Sequence, residues 1–333
     1  DLMSVRTAAW AGGLLCISAV LIVLGCGVGS QGWSWGLGHD GDSVTQQLLW
    51  EIRVPRNLGA WIGGALLGLS GAVAQGLFRN PLADPYLLGS SSGASLGVSV
   101  ALSAWGGSLM SLTPWERWSV TGAAFLGAMV AVALTLLLAR GMQKSVRLLL
   151  SGVVVGVVLA ALASLIAFME PRMWQNLQTF LMGSTSMIDQ DACWLMSGVL
   201  VLSLTVALGW SRVLDALNLG EDTARSLGMP LSWARWGLVC VLSLATGTAV
   251  AQLGLIAFIG LAAPHAVRSI VRSTHAGWLC LSTLMGGVLL LASDLLSRLV
   301  LAPEELPVGV VTSVVGGGYL LWRMQRSPQG SAS

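Results

Sequence analysis

Charged residues are scarce in this sequence: only 10% of its 333 positions are Asp, Glu, Lys or Arg, whereas 55% are hydrophobic. The mean hydropathy is correspondingly high, at +0.78. A soluble domain normally carries about a quarter charged residues. The composition therefore argues against an ordinary soluble domain and indicates a membrane protein.

Motifs that carry catalytic chemistry are also missing. No G-x-x-x-x-G-K-[ST] segment occurs, so we expect no ATP bound through a Walker loop. GVGSQG at 27–32 matches a dinucleotide fingerprint in form, but an apolar run precedes it where that fingerprint needs a strand. The three histidines are scattered, and the five cysteines have no metal-ligand spacing. We therefore expect no catalytic residue, no cofactor and no metal site.

Ionisable residues are nearly absent from the apolar runs as well. Proton- or sodium-coupled transporters usually carry such a group deep in the membrane. Asp294 is the main candidate, but Arg298 follows it by four residues on the same helix face. A local ion pair is therefore the simplest interpretation, and secondary transport is disfavoured.

What the sequence does contain is a series of apolar runs. About 20 consecutive apolar residues span a bilayer as a helix. The runs predict an all-α membrane protein with about ten transmembrane helices, in a single transmembrane domain over 1–333. The clear runs are 8–28, 58–78, 119–139, 148–169, 192–210 and 234–251, and the less regular ones are 90–109, 253–271, 278–296 and 308–322.

The distribution of basic residues predicts the orientation. An even number of crossings places both termini on the same side of the membrane. If that side is the cytoplasm, twelve Lys and Arg residues lie inside and five lie outside, which add up to the 17 in the sequence. This asymmetry follows the positive-inside rule. We therefore expect both termini to be cytoplasmic.

One inner loop predicts short helices outside the membrane. It contains LDALNLGEDTARSLGMP at 214–230. Asp215 and Asn218 are suitable N-cap residues, and Gly228 is a suitable C-cap before Pro230. The pattern predicts one or two helices at about 215–228 on the cytoplasmic face. From the pattern alone, a helix that only covers the bundle is the second interpretation.

Two further features break the apolar pattern. RNPLADPYLLG at 79–89 connects two apolar runs, and its prolines restrict the backbone, so it is either a tight turn or a stiff moving unit. On the outer side, Arg53 and Arg56 precede one helix and Arg298 ends another. Outer arginines run against the positive-inside bias, so a lipid headgroup, a local carboxylate or a docking partner is expected beside them.

A short repeat indicates internal symmetry. AVAQ occurs at 72–75 and again at 249–252, in the second and seventh predicted helices, which run in opposite directions. Helices separated by an odd number fit an inverted repeat, which is common in transporters. The repeat would relate helices 2–5 to helices 7–10.

Six motifs in order resemble the iron-chelate (FecCD-type) permease family. They are RVPR at 53–56, G-A-x-L-x-x-S-G-A-x-x-Q at 64–75, RNPLADP at 79–85, LNLGEDTARSLG at 217–228, GLIAFIGLAAPHAVR at 254–268 and ELPVGVVTSVVG at 305–316. Members of this family are membrane subunits of type II ABC importers for haem, ferric siderophores and vitamin B12. The resemblance implies a homodimer in the bacterial inner membrane, with two ATP-binding cassette ATPase subunits, a periplasmic binding protein and no nucleic-acid partner.

The resemblance also assigns roles to residues. Arg53, Arg56 and Arg298 would dock the binding protein through charge-assisted pairs. A cytoplasmic gate would be formed by Asn80, Pro81 and Leu82 together with Ser145 and Val146. The ATPase would contact the short helices through Leu217, Asn218, Leu219, Gly220, Ala224, Arg225, Leu227 and Gly228.

The substrate is the least determined feature. We expect the pathway to lie on the dimer axis along the helix at 148–169, where Ser151 and Ser164 are the main polar side chains. Arg172 and Trp174 follow this helix and would suit a flat anionic macrocycle, but a local pair between Arg172 and Glu170 is an equal interpretation. We therefore expect haem first, a ferric siderophore second and cobalamin third. An ATP-independent channel is the rival class, and it would not require 217–228.

Overall fold

The computed structural model describes residues 5–29, 32–33, 43–105, 113–139, 145–170 and 180–326. Short two-residue strands, Val28–Gly29 and Gly32–Trp33, pair antiparallel after the first helix. The rest of the regular structure in these ranges is helical. The α-helices are α1 (Val5–Gly27), α2 (Ser43–Leu48), α3 (Val54–Leu77), α4 (Ser90–Ala104), α5 (Pro114–Leu138), α6 (Ser145–Met169), α7 (Gln190–Gly209), α8 (Ser211–Asn218), α9 (Glu221–Ser226), α10 (Leu231–Leu253), α11 (Ile259–Ile270), α12 (His275–Leu299) and α13 (Val308–Arg326).

Seven helical segments of the described chain are long and apolar enough to cross a membrane. They are α1, the stretch from Gln46 to the end of α3, α5, α6, α7, α10 and α12. The three other predicted runs form the shorter helices α4, α11 and α13. Each predicted apolar run therefore contains a helix, and the prediction of an all-α membrane protein is confirmed.

Two predicted boundaries were wrong. The run at 253–271 was predicted as one helix, but α10 continues to Leu253 and α11 begins only at Ile259. Gly254 has a φ of +73°, a conformation that ends the helix and that glycine adopts without steric cost. The run at 90–109 yields a helix that ends at Ala104. Apolar composition alone does not reveal such breaks.

Helix α3 forms the centre of the bundle and is buried over most of its length. It packs closely on α12, because Gly64 and Gly68 face the backbone at Gly286 and Ser282 with no room for a Cβ atom. In the same way, Gly93 of α4 lies against the backbone of α5. Small residues allow this close approach, which provides the packing contacts that hold membrane helices together.

The helix contacts follow the predicted inverted repeat. Matching the second helix with the seventh pairs α3 with α10, α4 with α11 and α5 with α12. Helix α3 packs against α12 and α11, and its counterpart α10 packs against α5 and α4. The neighbours of α3 are thus exchanged for their counterparts around α10, as the repeat requires.

Candidate functional site

Two connections between helices lie inside the bundle and meet each other there. The first is 78–89, between α3 and α4, and the second is 254–258, between α10 and α11. The hydroxyl oxygen of Tyr86 accepts a hydrogen bond from the backbone N–H of Ile256 at 3.4 Å. Pro85 packs on Gly260, where a Cβ atom would lie 3.2 Å from the proline Cδ. Pro85–Leu88 forms a short 3-10 helix, and 254–258 is not helical. Such interruptions of the α-helices are tolerated at this position because protein surrounds them.

The first connection returns into the bundle after α3 ends. Gly260, which contacts Pro85, also lies against Gly71 of α3. Gly71 precedes the last residue of α3, Leu77, by six positions, which corresponds to about 9 Å along the helix axis. The chain therefore turns at the end of α3 and re-enters before α4 begins. The predicted tight turn is only the first part of this longer segment.

The tip of the re-entrant connection is held by its own side chains. The Asn80 side-chain oxygen accepts a hydrogen bond from the backbone N–H of Leu82 at 2.9 Å, and the Asp84 carboxylate accepts one from Tyr86 at 2.8 Å. Such local bonds replace the secondary-structure partners that the backbone lacks. The segment is thus stiff for two reasons, these bonds and its prolines.

The three predicted gate residues in this connection lie at its tip. Leu82 is 59% exposed, and Pro81 is exposed beside it. An exposed leucine that is held by a stiff loop is available to meet another surface. The second predicted gate element starts α6 at Ser145, but the side chains of Ser145 and Val146 lie outside the described residues.

Helix α6 presents one apolar face to its surroundings and packs the other against α4 and α5. The open face carries valine, leucine and phenylalanine side chains that are about half exposed or more, among them Val157 and Phe168. Ser164 is exposed, whereas Ser151 is only 8% exposed and points into the bundle. The prediction that Ser151 is a main polar residue of the pathway is therefore not supported by its position. Arg172 and Trp174 lie outside the described residues.

The inner loop forms two short helices, as predicted. Leu217 of α8 and Ala224 of α9 are buried and fix these helices to the bundle. Leu219 and Leu227 are 68% and 59% exposed, and the Arg225 side chain is 67% exposed. Gly220 and Gly228, both at positive φ, end α8 and α9. The predicted coupling residues therefore divide into an inward set that anchors the helices and an outward set that is accessible, to which Asn218 also belongs.

Asp215 has a different role from the predicted one. It lies inside α8, and its carboxylate accepts the backbone N–H of His275 at 3.0 Å and contacts the Nδ1 atom of the same residue at 2.6 Å. It therefore caps the start of α12, where Thr274 provides no side-chain cap. Sequence reasoning missed this contact because the two residues are 60 positions apart. The contact joins α8 directly to a membrane helix.

Helix α8 also contacts the end of α3. The Leu214 side chain is fully buried, and both of its methyl carbons lie 3.4 Å from where a Cβ atom of Gly76 would be. Gly76 is four positions before Asn80, which begins the re-entrant tip. Helix α8 is therefore in direct contact with the end of α3, so a displacement of α8 would act on the helix end that carries the candidate gate.

The outer arginines form a buried polar network around Asp294. Arg298 is 3% exposed, pairs with Asp294 and donates to the Asn57 side-chain oxygen at 3.0 Å. Arg56 contacts Asp294 at 3.2 Å, and Asp294 also accepts a hydrogen bond from Thr185. The predicted ion pair between Asp294 and Arg298 is thus confirmed. The predicted docking role of Arg298 disagrees with its burial, because a partner cannot reach its guanidinium in this conformation.

Arg56 and Arg53 lie closer to the surface. The Arg56 side chain is 11% exposed and pairs with Glu305 at 2.8 Å, and Glu305 itself is 31% exposed. Arg53 is half-buried and donates to the backbone oxygen of Cys26 at 3.1 Å. Glu305 is a residue of this site that the sequence did not reveal, since the pairing spans most of the chain.

Comparison with known proteins agrees with this architecture. The FecCD transport family matches residues 14–326. Two relatives named vitamin B12 import system permease protein BtuC, from Citrobacter koseri and Klebsiella pneumoniae, are each 36% identical over 97% of this chain and 95% of their own length. The BtuC protein of Escherichia coli is 35% identical over 94% of this chain and 95% of its length.

Solved structures give the same result. A metal-chelate type ABC transporter in an inward-facing conformation superposes with a TM-score of 0.79 and 28% identity, covering 94% of this chain and 98% of the other. PsaBC from Streptococcus pneumoniae shares the fold alone, with a TM-score of 0.59 and 17% identity over 82% of this chain and 91% of its own. The chain therefore belongs to the FecCD transport family, as a membrane permease subunit of the ABC importer type.

Proposed function

We propose that this permease imports a cobalamin-class substrate from a periplasmic binding protein into the bacterial cytoplasm. The observation that carries the proposal is that relatives matching over nearly the full chain are named as vitamin B12 import permeases. Haem was our first expectation, but it rested on Arg172 and Trp174, which lie outside the described residues. A cobalamin-class substrate therefore replaces haem as the first choice, with a ferric siderophore as the alternative.

The pathway is proposed to lie between two copies of this chain. The open face of α6 is apolar along its length and has few polar groups besides Ser164. Facing the same surface of a second copy, it would form a smooth conduit that binds a bulky substrate weakly. Recognition would then belong to the binding protein, and weak binding along the conduit would favour release.

The energy for transport is proposed to enter through α8 and α9. Two ATPase subunits would contact the exposed Leu219, Arg225 and Leu227 on the cytoplasmic side, which is also the proposed side of both termini. Movement of α8 would pass to α12 through Asp215 and to α3 through Leu214. The end of α3 would then displace the tip at Asn80, Pro81 and Leu82 as one unit. Ser145 and Val146 would oppose this tip at the start of α6.

Docking of the binding protein is proposed at the opposite face. Arg56 lies at its edge, where a carboxylate from a partner can compete with Glu305 for the guanidinium. Arg53 is the second contact, and it lies one helical turn before Arg56 at the start of α3. The buried Arg298 would support this surface through Asn57 and Asp294 instead of touching the partner.

The substrate is tested by the ATPase activity of the reconstituted complex. The permease, its ATPase and its binding protein are placed in nanodiscs, and ATP hydrolysis is measured with the binding protein loaded with cobalamin, haem or a ferric siderophore. Cobalamin should stimulate hydrolysis most strongly. Stronger stimulation by one of the other ligands would reject the cobalamin proposal while preserving the importer. No association with an ATPase would favour an ATP-independent channel instead.

A further inference from the structure

A cavity of about 350 Å³ at the end of α11 is lined by three arginines and by no carboxylate. Arg268 and Arg272 come from the end of α11 and the turn after it, and Arg79 comes from the turn after α3. Asn218, Ser273 and His275 are the other polar residues of the lining. In the part of the chain that the structure describes, none of these three guanidinium groups makes an ion pair or a hydrogen bond.

The arginines are positioned although they lack acidic partners. The Arg268 guanidinium lies 4.0 Å from the ring centroid of Trp278, on the face of a ring that is itself buried. This stacking fixes the plane of the guanidinium and leaves its N–H groups free to donate. In the described ranges, the Asp215 carboxylate contacts the lining, and both of these contacts are made to His275. The cavity therefore retains an excess of positive charge.

Guanidinium groups that converge without acids are suited to a phosphate. Arginine binds phosphate oxygens through two parallel N–H donors. A phosphate offers more oxygen atoms than a carboxylate does, so several arginines can bind one phosphate together. None of the residues assigned above to substrate passage or docking lies in the cavity, and Asn218 is the only predicted coupling residue in its lining. The three arginines are thus not accounted for by the proposed transport mechanism, although His275 in the same lining takes part in the Asp215 contact.

The position of the cavity indicates where the phosphate comes from. Helix α12 starts at the cavity, and two residues later Gly277 lies against Thr7 of α1, where a Cβ atom would be 2.9 Å from the threonine methyl carbon. Helix α1 is the most peripheral of the long apolar helices in the described ranges, since only 17% of its apolar window is buried. The cavity is therefore at the edge of the bundle, level with the ends of membrane helices.

We infer that this cavity binds the phosphate of an anionic phospholipid headgroup on the proposed cytoplasmic side of the membrane. Basic pockets between membrane helices on that side are suited to such headgroups, and each arginine near the surface contributes roughly a fivefold preference. The bound lipid would join the turn after α3 to the start of α12, because Arg79 and Arg268 come from separate elements. It would thereby hold the base of the candidate gate.

The test compares lipids that remain bound to the assembled permease–ATPase complex. Native mass spectrometry is performed from nanodiscs with equal amounts of phosphatidylglycerol and phosphatidylcholine. The unaltered complex should retain phosphatidylglycerol preferentially. The double variant Arg268→Gln, Arg272→Gln should lose this preference by at least tenfold, whereas Arg212→Gln, an exposed arginine of α8 outside the cavity, should keep it. Equal retention by the double variant and the control would overturn the inference.

Thermal unfolding distinguishes the remaining outcomes. In phosphatidylcholine nanodiscs the double variant should unfold only slightly below the unaltered complex, because both side chains are exposed and only the stacking of Arg268 on Trp278 is lost. Phosphatidylglycerol should raise the unfolding temperature of the unaltered complex only. If inorganic phosphate in phosphatidylcholine nanodiscs gives the same increase, the ligand is soluble and the lipid assignment is wrong. If no anion has an effect once the ATPase is bound, the arginines serve the protein interface and the inference also fails. Neither result affects the cobalamin proposal, which is tested by comparing substrates in the ATPase assay.

Discussion

The Asp215 carboxylate of α8 holds the first residue of α12, His275, by its backbone N–H at 3.0 Å and by its Nδ1 atom at 2.6 Å. A short helix of the predicted coupling segment is thereby attached to a helix that is long and apolar enough to cross a membrane. The same carboxylate caps the α12 terminus by accepting the backbone N–H of His275, one of the N–H groups that have no partner within the helix. This contact is well placed to transmit movement from an ATPase to the membrane helices.

Replacing Asp215 by alanine should uncouple ATP hydrolysis from transport. The loss of the cap is expected to cost about 1 kcal/mol of stability, which the whole bundle should tolerate. ATPase activity should persist while uptake per ATP falls. Asp215→Asn is the matched control, because asparagine also caps helices and should retain most of the coupling. Equal loss in both variants would assign the effect to the charge instead of the cap.

Replacing Leu82 by alanine should make the membrane leaky without destabilising the protein. Its side chain is 59% exposed in the single chain, so little packing is lost within that chain. The measurement is efflux of preloaded substrate from proteoliposomes in the absence of ATP. Leu138→Ala, which alters a leucine with 52% exposure at the end of α5, serves as the control. If both variants leak equally, or neither leaks, Leu82 is not part of a gate.

Removing the charge of Glu305 should strengthen docking of the binding protein. Glu305 occupies the Arg56 guanidinium at 2.8 Å, and a docking carboxylate must displace it. A partly exposed pair of this kind is worth about 0.2–1 kcal/mol, so Glu305→Gln should increase affinity by roughly up to fivefold. Surface plasmon resonance at several salt concentrations measures this directly. Glu304→Gln, which changes the neighbouring exposed acid, is the control. Weaker binding by Glu305→Gln would contradict the prediction and show that Glu305 supports the docking surface.

Neutralising Asp294 should destabilise the protein much more than the substitutions of Asp215, Leu82 or Glu305. Asp294 is fully buried and contacts Arg56, Arg298 and Thr185. Without its charge, Arg298 remains buried and loses its ion pair, which is expected to cost about 3–5 kcal/mol. Thermal unfolding of Asp294→Asn in detergent measures the loss. A variant as stable as the unaltered protein would mean that the network contributes little, and Arg53→Gln controls for the loss of an outer charge.

The sequence predicted those features that are local along the chain. Apolar runs located the helices, the i,i+4 spacing paired Asp294 with Arg298, and Gly228 was correctly placed at a helix end. Contacts between distant segments were not predicted, because they depend on how the helices pack. The bonds from Tyr86 to Ile256 and from Asp215 to His275 belong to this class, as does the Arg56–Glu305 pair.

Motif resemblance assigned docking, gate and coupling roles to particular segments, and these roles stay predictions. It could not distinguish an exposed residue from a buried one. Arg298 and Arg56 have the same charge and lie on the same face of the membrane, yet Arg298 is buried because α12 places it against Asn57 and the end of α1. The exposure of each side chain follows from the packing of its neighbours.

The most direct test of the account is ATP-dependent accumulation of cobalamin in proteoliposomes that contain the permease and its ATPase. The loaded binding protein is added on the side of the membrane that bears the proposed docking face. We predict accumulation against a gradient with ATP, and none with a non-hydrolysable analogue or without the binding protein. Equilibration of cobalamin to equal concentrations without ATP would contradict the account and identify the chain as a passive channel.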